Sequence, residues 1–188
     1  VLQVSDDLRL GGAQRVVEQL APALRETGGM EIDVLGLARD SLVSRYNPAA
    51  LWKIRRRIRR EGIRIVHSHL FPTQFWTALA CAGLGAAKPR LVTTEHNSFN
   101  RRRKHPLLRP LDRWTYGRYD RIVCVSPLVR DNLIAWLAPR EGDRSRFVVI
   151  GNGVDVEAFR TAVPYRPEEL GLPGGPGIRL LCMASRFA

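Results

Sequence analysis

The chain is 188 residues long, 45% hydrophobic, and carries 30 Lys and Arg against 18 Asp and Glu, for a net charge of +12. That size allows one complete α/β domain plus a remainder too short for a second, and the composition excludes a disordered chain. The longest apolar stretch, Phe75 to Ala87, runs 13 residues where a membrane span needs about 20, so it reads as a buried helix.

In chain order, Val1–Ser5 is a short apolar strand, and no secretory leader is read before it. A polar loop ends at Gly11-Gly12. From Ala13 the apolar residues Val16, Val17, Leu20, Ala21 and Leu24 recur at the spacing of one helix face, until Gly28-Gly29 stops them. Ile32–Leu37 reads as a second strand, and Pro48 to Glu61 as a helix with Leu51, Ile54 and Ile58 on one face, ended by Gly62. Ile63–Ser68 is a third strand, Pro72–Leu84 a buried helix, and Arg90–Thr94 a fourth strand.

A basic, proline-punctuated segment follows from Arg101 to about Tyr119. Then come a fifth strand, Arg121–Val125, a helix over Pro127–Leu137 opened by Ser126, and a sixth strand, Phe147–Ile150. These strands are continuous Val/Ile/Leu runs alternating with helices, the pattern of a parallel sheet covered on both faces. The expected fold is therefore α/β, a doubly wound, mainly parallel, Rossmann-like sheet. The expected domains are 1–159, a linker rich in Pro and Gly over 160–177, and the opening strand of a second domain over 178–188.

The three cysteines, Cys81, Cys124 and Cys182, lie far apart in apolar segments. They read as free thiols in a reducing compartment, with neither a disulfide framework nor a zinc site. The strong positive charge comes mainly from arginine. It points to an anionic partner (nucleic acid, a phosphorylated small molecule, or an acidic membrane face) or to an arginine-rich surface throughout.

Parallel sheets bind ligands beyond the carboxyl ends of their strands, so the loops there carry the most information. Gly11 and Gly12 stand at the first strand-to-helix turn, where backbone N–H groups can approach a phosphate or a sugar. The loop has neither the dinucleotide fingerprint nor a Walker A lysine, and two glycines also suffice for a tight turn. After the third strand come His67-Ser68-His69. A metal pair is conceivable there, but no carboxylate or cysteine completes it, and one core histidine with one at the pocket rim fits better.

After the fourth strand come Thr93-Thr94-Glu95-His96-Asn97, where His96 and Glu95 suit hydrogen bonds to sugar hydroxyls or proton transfer; a helix-capping histidine is the structural alternative. Gly151-Asn152-Gly153-Val154-Asp155, after the sixth strand, reads as a turn.

Taken together, these loops resemble glycosyltransferase family 4. The resemblance rests on Leu10-Gly11-Gly12-Ala13-Gln14-Arg15-Val16-Val17, Val66-His67-Ser68-His69, Thr93-Thr94-Glu95-His96-Asn97 and Asp120-Arg121-Ile122-Val123-Cys124-Val125-Ser126. Gly151-Asn152-Gly153-Val154-Asp155 leading to Phe159, and Met183-Ala184-Ser185-Arg186-Phe187, complete it in the same order. It implies the acceptor-side domain of a retaining GT-B enzyme, with a nucleotide-diphosphate sugar as donor and a glycan or lipid-linked acceptor. No cofactor or metal is implied, and no Asp-x-Asp motif is present.

On this resemblance His96, with Glu95, lies at the reaction centre. Gly11, Gly12, Asn152, Gly153 and Arg186 contact the donor, and Arg186 offsets the charge of the leaving diphosphate. Gln14, Arg15, His69, Asn97, Arg101, Arg102 and Arg103 face the acceptor. Gln14 stands where many members carry glutamate.

The run Arg101-Arg102-Arg103-Lys104 is expected to attract a lipid phosphate, an anionic glycan or the inner face of the cell membrane, which suits a cytoplasmic, peripheral enzyme. The arginines around the helix from Pro48 are expected to be its solvated face. Two alternatives remain: a sugar-nucleotide epimerase of the same architecture, and a basic nucleic-acid-binding domain. The latter requires exposed aromatics among the arginines, whereas Trp52 and Trp114 both fit core positions; the reading adopted has no nucleic-acid partner.

Overall fold

The computed structural model describes residues 1–5, 12–37 and 46–173. Its elements run β1 (Leu2–Ser5), α1 (Gly12–Gly28), β2 (Asp33–Gly36), α2 (Ala49–Glu61), β3 (Ile65–His69) and α3 (Thr73–Cys81). There follow β4 (Arg90–Glu95), α4 (Arg109–Tyr116), β5 (Arg121–Cys124), α5 (Pro127–Leu137), β6 (Phe147–Val149) and α6 (Val156–Thr161).

The six described strands form one sheet in the order β2-β1-β3-β4-β5-β6. Every pairing is parallel, as the continuous apolar runs require. The chain steps outward from β1 to β2, then crosses back over β1 to β3 and continues the other way. Right-handed crossovers therefore put α1 on one face of the sheet and α2 to α5 on the other. Burial follows this division. Leu2, Val4, Val66, Leu91 and Ile122 form the main core with Ile54 and Ile58 of α2, Ala78 of α3, Tyr116 of α4 and Leu133 of α5. Val17 and Ala21 of α1 are buried outside that cluster. The reversal of winding falls between β1 and β3, and doubly wound sheets hold their ligands at such a point.

Local chemistry sets the ends of the elements. Gly62 stops α2 at φ 59°, a left-handed conformation that costs glycine little. The Ser126 side chain accepts from the Val129 N–H and Pro127 occupies the first turn, so α5 starts where the sequence predicts.

Two expectations need correction. The proline-punctuated segment contains a helix, α4, with Pro110 in its first turn, where a missing N–H costs nothing, and Asp112, Thr115 and Tyr116 buried. Trp52 is not a core residue: it is 70% exposed. Ala50, Ile54 and Ile58 take the buried stripe of α2 at i, i+4 and i+8, which turns Trp52 outward.

The chain divides into two compact units, Val1–Asn152 and Gly153–Ala188. Within the second, the Asp155 side chain caps α6 by accepting from the Ala158 N–H. The strand expected at 178–184 and Arg186 lie outside the described residues, as do Gly11 and the Gln14 side chain.

Candidate functional site

Parallel register brings β1, β3 and β4 to a common carboxyl edge. Gln3 pairs with His67, and His69 pairs with Thr94. Paired residues share a face, so Gln3, His67, His69 and Thr94 project together on the α1 side, and His96 follows two residues beyond Thr94. His69 is 1% exposed and Gln3 is fully buried.

The rings are coupled. His69 Nε2 lies 2.9 Å from Gln3 Oε1, and His69 Nδ1 lies 3.2 Å from His96 Nε2. His67 Nε2 lies 2.8 Å from Thr94 Oγ1, and the His67 and His69 ring centroids are 4.2 Å apart. Burial disfavours the imidazolium form. It lowers the pKa of His96 to about 4, and with some help from the neighbouring His96 lowers that of His67 to about 4. His69 is also held well below its ordinary value, chiefly by burial and then by His67 and His96. The three rings are neutral at pH 7 and act as paired donors and acceptors.

On the other face, Glu95 closes β4 with its side chain buried. It accepts from the Tyr116 hydroxyl at 2.5 Å and from Arg103 Nη2 at 2.9 Å, and its Oε1 accepts from the Asn97 N–H at 3.2 Å. Burial, then the adjoining carboxylate, keeps the Tyr116 hydroxyl protonated as a donor. Three bonds to one carboxylate thus tie α4, the turn at Arg101–Lys104 and the loop after β4 together around His96. Behind them, Gln74 Nε2 donates to Thr93 Oγ1, and Tyr119 bonds Ser68 Oγ at 2.8 Å. These polar contacts cross-link β3, β4 and α3.

The structure brings together Glu95, His96 and His69, and orders Asn97 and Arg103 beside them. The segment Arg101–Lys104 is not a uniform exposed patch. Arg102 pairs with Asp112 at 2.5 Å and stacks over Phe71, Arg103 is engaged by Glu95, and only Arg101 and Lys104 are exposed. Gly12 opens α1. Arg15 lies exposed in that helix, 3.3 Å from Glu18, and Asn152 and Gly153 are exposed.

Sequence reasoning missed Gln3, Tyr116 and Arg103's partner. A glutamine between Leu2 and Val4 in a buried strand was the available signal. Among the described residues, no group of three His, Cys, Asp or Glu side chains is placed to hold a metal ion. Among them too, no helix is long and apolar enough to cross a membrane. Cys81 and Cys124 are buried free thiols, with burial raising their pKa values to about 12 and about 11.

A doubly wound, all-parallel sheet with helices on both faces defines a Rossmann-like domain of the kind found in GT-B enzymes. The profile of Glycosyltransferase Family 4 matches residues 10–158, and the chain belongs to that family. Among solved structures it is similar to HepE from Anabaena in complex with UDP-glucose, at TM-score 0.59 and 13% identity, covering 90% of this chain and 49% of that one. It is likewise similar to a glycosyltransferase from Rickettsia africae, at TM-score 0.58 and 20% identity, covering 92% of this chain and 49% of that one. The chain thus spans about half the length of these structures. No curated protein matches it by sequence.

Proposed function

We propose that this chain is the acceptor-side half of a retaining glycosyltransferase, which moves a sugar from a nucleotide-diphosphate donor to a glycan or a lipid-linked acceptor. The carrying observation is the neutral polar cluster of His96, His69 and Gln3 at the winding reversal of a Family 4 domain. HepE, described with UDP-glucose, supports a nucleotide-sugar donor.

In this reading His96 faces the transferred sugar as a hydrogen-bonding group, since its low pKa suits it to orient a hydroxyl as a neutral ring rather than carry a second proton. Glu95 acts as a positioning residue, because its oxygens are occupied by Arg103, Tyr116 and Asn97. Gly11, Gly12, Asn152, Gly153 and Arg186 serve the donor. Gln14, Arg15, Asn97 and Arg101 serve the acceptor, His69 acts through His96, and Arg102 and Arg103 shape the loop. No cofactor is invoked.

In this reading the enzyme works in the cytoplasm at an anionic membrane surface, and it meets that surface through α2 rather than through Arg101–Lys104. Lys53, Arg56, Arg59 and Arg60 are exposed without carboxylate partners among the described residues. With Trp52 and Arg55, three of these arginines line a shallow depression of about 350 Å³. An exposed tryptophan beside arginines suits the lipid headgroup region. The same exposure meets the requirement set for nucleic-acid binding, but one exposed ring on α2 supplies no series of aromatics for successive bases to stack on.

The deciding experiment measures binding of UDP-, GDP- and ADP-linked sugars by the full-length protein, then the anomeric configuration of the product by NMR. Retention supports the reading; no nucleotide-sugar binding, or inversion, overturns it.

A further inference from the structure

Gln3 is unusual for its place. It sits in the middle of a buried strand between Leu2 and Val4, and is itself 0% exposed. Burying an amide there has a cost that an aliphatic side chain would avoid. Among the described residues its Nε2 has no hydrogen-bond partner, so its contact with His69 is what the amide gains there.

That contact fixes a direction. A neutral imidazole carries one N–H and one bare nitrogen. Gln3 Oε1 can only accept, so His69 Nε2, 2.9 Å away, holds the ring's proton. His69 Nδ1 is then bare and can only accept. Its neighbour at 3.2 Å, His96 Nε2, must therefore hold a proton and donate. One nitrogen of His96 remains, Nδ1, which carries a lone pair and has no protein partner among the described residues. The His67 ring, 4.2 Å from that of His69 and anchored on Thr94 Oγ1, packs against the middle of the chain and keeps it from turning. Burial, which lowers the pKa of each ring, keeps all three neutral and makes this count of protons hold at pH 7.

We propose that Gln3 and His69 are positioning residues that hold His96 in its Nε2–H tautomer and leave His96 Nδ1 as a bare acceptor for a ligand hydroxyl. The consequence is chemical selectivity. The site accepts a hydrogen from a hydroxyl and discriminates against an ether or a missing hydroxyl at the same place, as buried acceptors do when a donor is absent. That consequence rests on the reading of His96 as a sugar-facing residue; the tautomer itself does not.

Two-bond ¹H–¹⁵N correlation spectra of the ¹⁵N-histidine-labelled full-length protein, recorded without substrate at neutral pH, test the relay. The expected His96 pattern is a pyrrole-like Nε2 and a pyridine-like Nδ1. Reversing the Gln3 amide would reverse every bond in the chain and move the proton to His96 Nδ1, so an Nδ1–H pattern overturns the proposal. In Gln3→Leu, His69 loses its acceptor and the His96 tautomers should mix. A folded Gln3→Leu protein that keeps pure Nε2–H also overturns it. If that variant does not fold, His69→Phe provides the second test, since it removes the acceptor from His96 while keeping a ring against His67, and it should release the tautomer in the same way. Loss of the relay with normal nucleotide-sugar transfer, or an intact relay with no transfer, separates this inference from the proposed function.

Discussion

The guanidinium of Arg103 meets the carboxylate of Glu95 at 2.9 Å, with the two side chains only 10% and 3% exposed. The pair locks the turn at Arg101–Lys104 onto the end of β4, one residue before His96. Removing one partner of such a pair leaves an uncompensated buried charge, which typically costs 3–5 kcal/mol, far more than the net worth of the pair. Arg103→Met should therefore lower unfolding stability by about 3–5 kcal/mol in urea titrations. Arg103→Met with Glu95→Gln should recover part of that loss, because the remaining amide needs no counter-charge. A single-variant loss below about 1 kcal/mol, the range of exposed pairs, would show that solvent reaches Glu95.

The histidine cluster makes stability pH-dependent, with a definite sign. His67 and His96 have folded pKa values of about 4 against an ordinary 6.5, both lowered first by burial. Between those values the unfolded chain binds more protons than the folded one, so stability rises with pH through the window and is lost as pH falls from 6.5 towards 4. For His67 the shift corresponds to on the order of 3 kcal/mol. Thermal unfolding across this window should show a Tm falling with acidity before the carboxylates titrate. His67→Gln should flatten the fall. A Tm unchanged between pH 6.5 and 5 would mean the rings are not buried as neutral groups.

The proposed membrane contact predicts different behaviour for the two basic stretches. Arg102 and Arg103 are committed to Asp112 and Glu95, whereas Arg56, Arg59 and Arg60 are exposed on α2 beside Trp52. A basic residue near an anionic leaflet contributes about 1 kcal/mol before screening. Changing Arg56, Arg59 and Arg60 to Gln should reduce binding to phosphatidylserine vesicles by on the order of 10²-fold and flatten its salt dependence. Gln at Arg101 and Lys104 should have a smaller effect. Unchanged vesicle binding in the triple variant, or preferential binding of single-stranded nucleic acid by the unmodified protein, would remove the membrane assignment.

What the sequence revealed and what it hid follow from the range of the interactions. All six described strands were legible because a parallel strand in a covered sheet is apolar over consecutive residues, as Val66 and Leu91 illustrate. The cluster around His96 was legible only as polar residues after strands. Helix α4 was hidden because Arg109, Pro110 and Arg113 masked a buried face made by Asp112, Thr115 and Tyr116, two of them polar. Asp112 is buried because the Arg102 guanidinium and the Trp136 indole N–H, 10 and 24 residues away, bond its two oxygens. No local window contains that information. Trp52 is different. Its outward position follows from the i, i+4, i+8 spacing of Ala50, Ile54 and Ile58, so the signal was present and hydrophobicity outweighed it.

His96 is the residue on which the proposed function turns. It lies just beyond β4, next to the winding reversal, and its one described partner is His69, so truncation removes little core packing. In the full-length protein, His96→Ala should shift the melting temperature only slightly. Turnover should fall by on the order of 10²-fold or more, the scale of one well-placed polar group in a transition state. His96→Asn should recover part of the rate, since its side-chain oxygen keeps an acceptor near the lost Nδ1. A structural role makes the opposite forecast: stability falls enough to account for the lost activity, and asparagine restores both together or neither. Unfolding and initial transfer rates measured on the same preparation decide between them. A stable His96→Ala protein with near-normal turnover would take His96 out of the site.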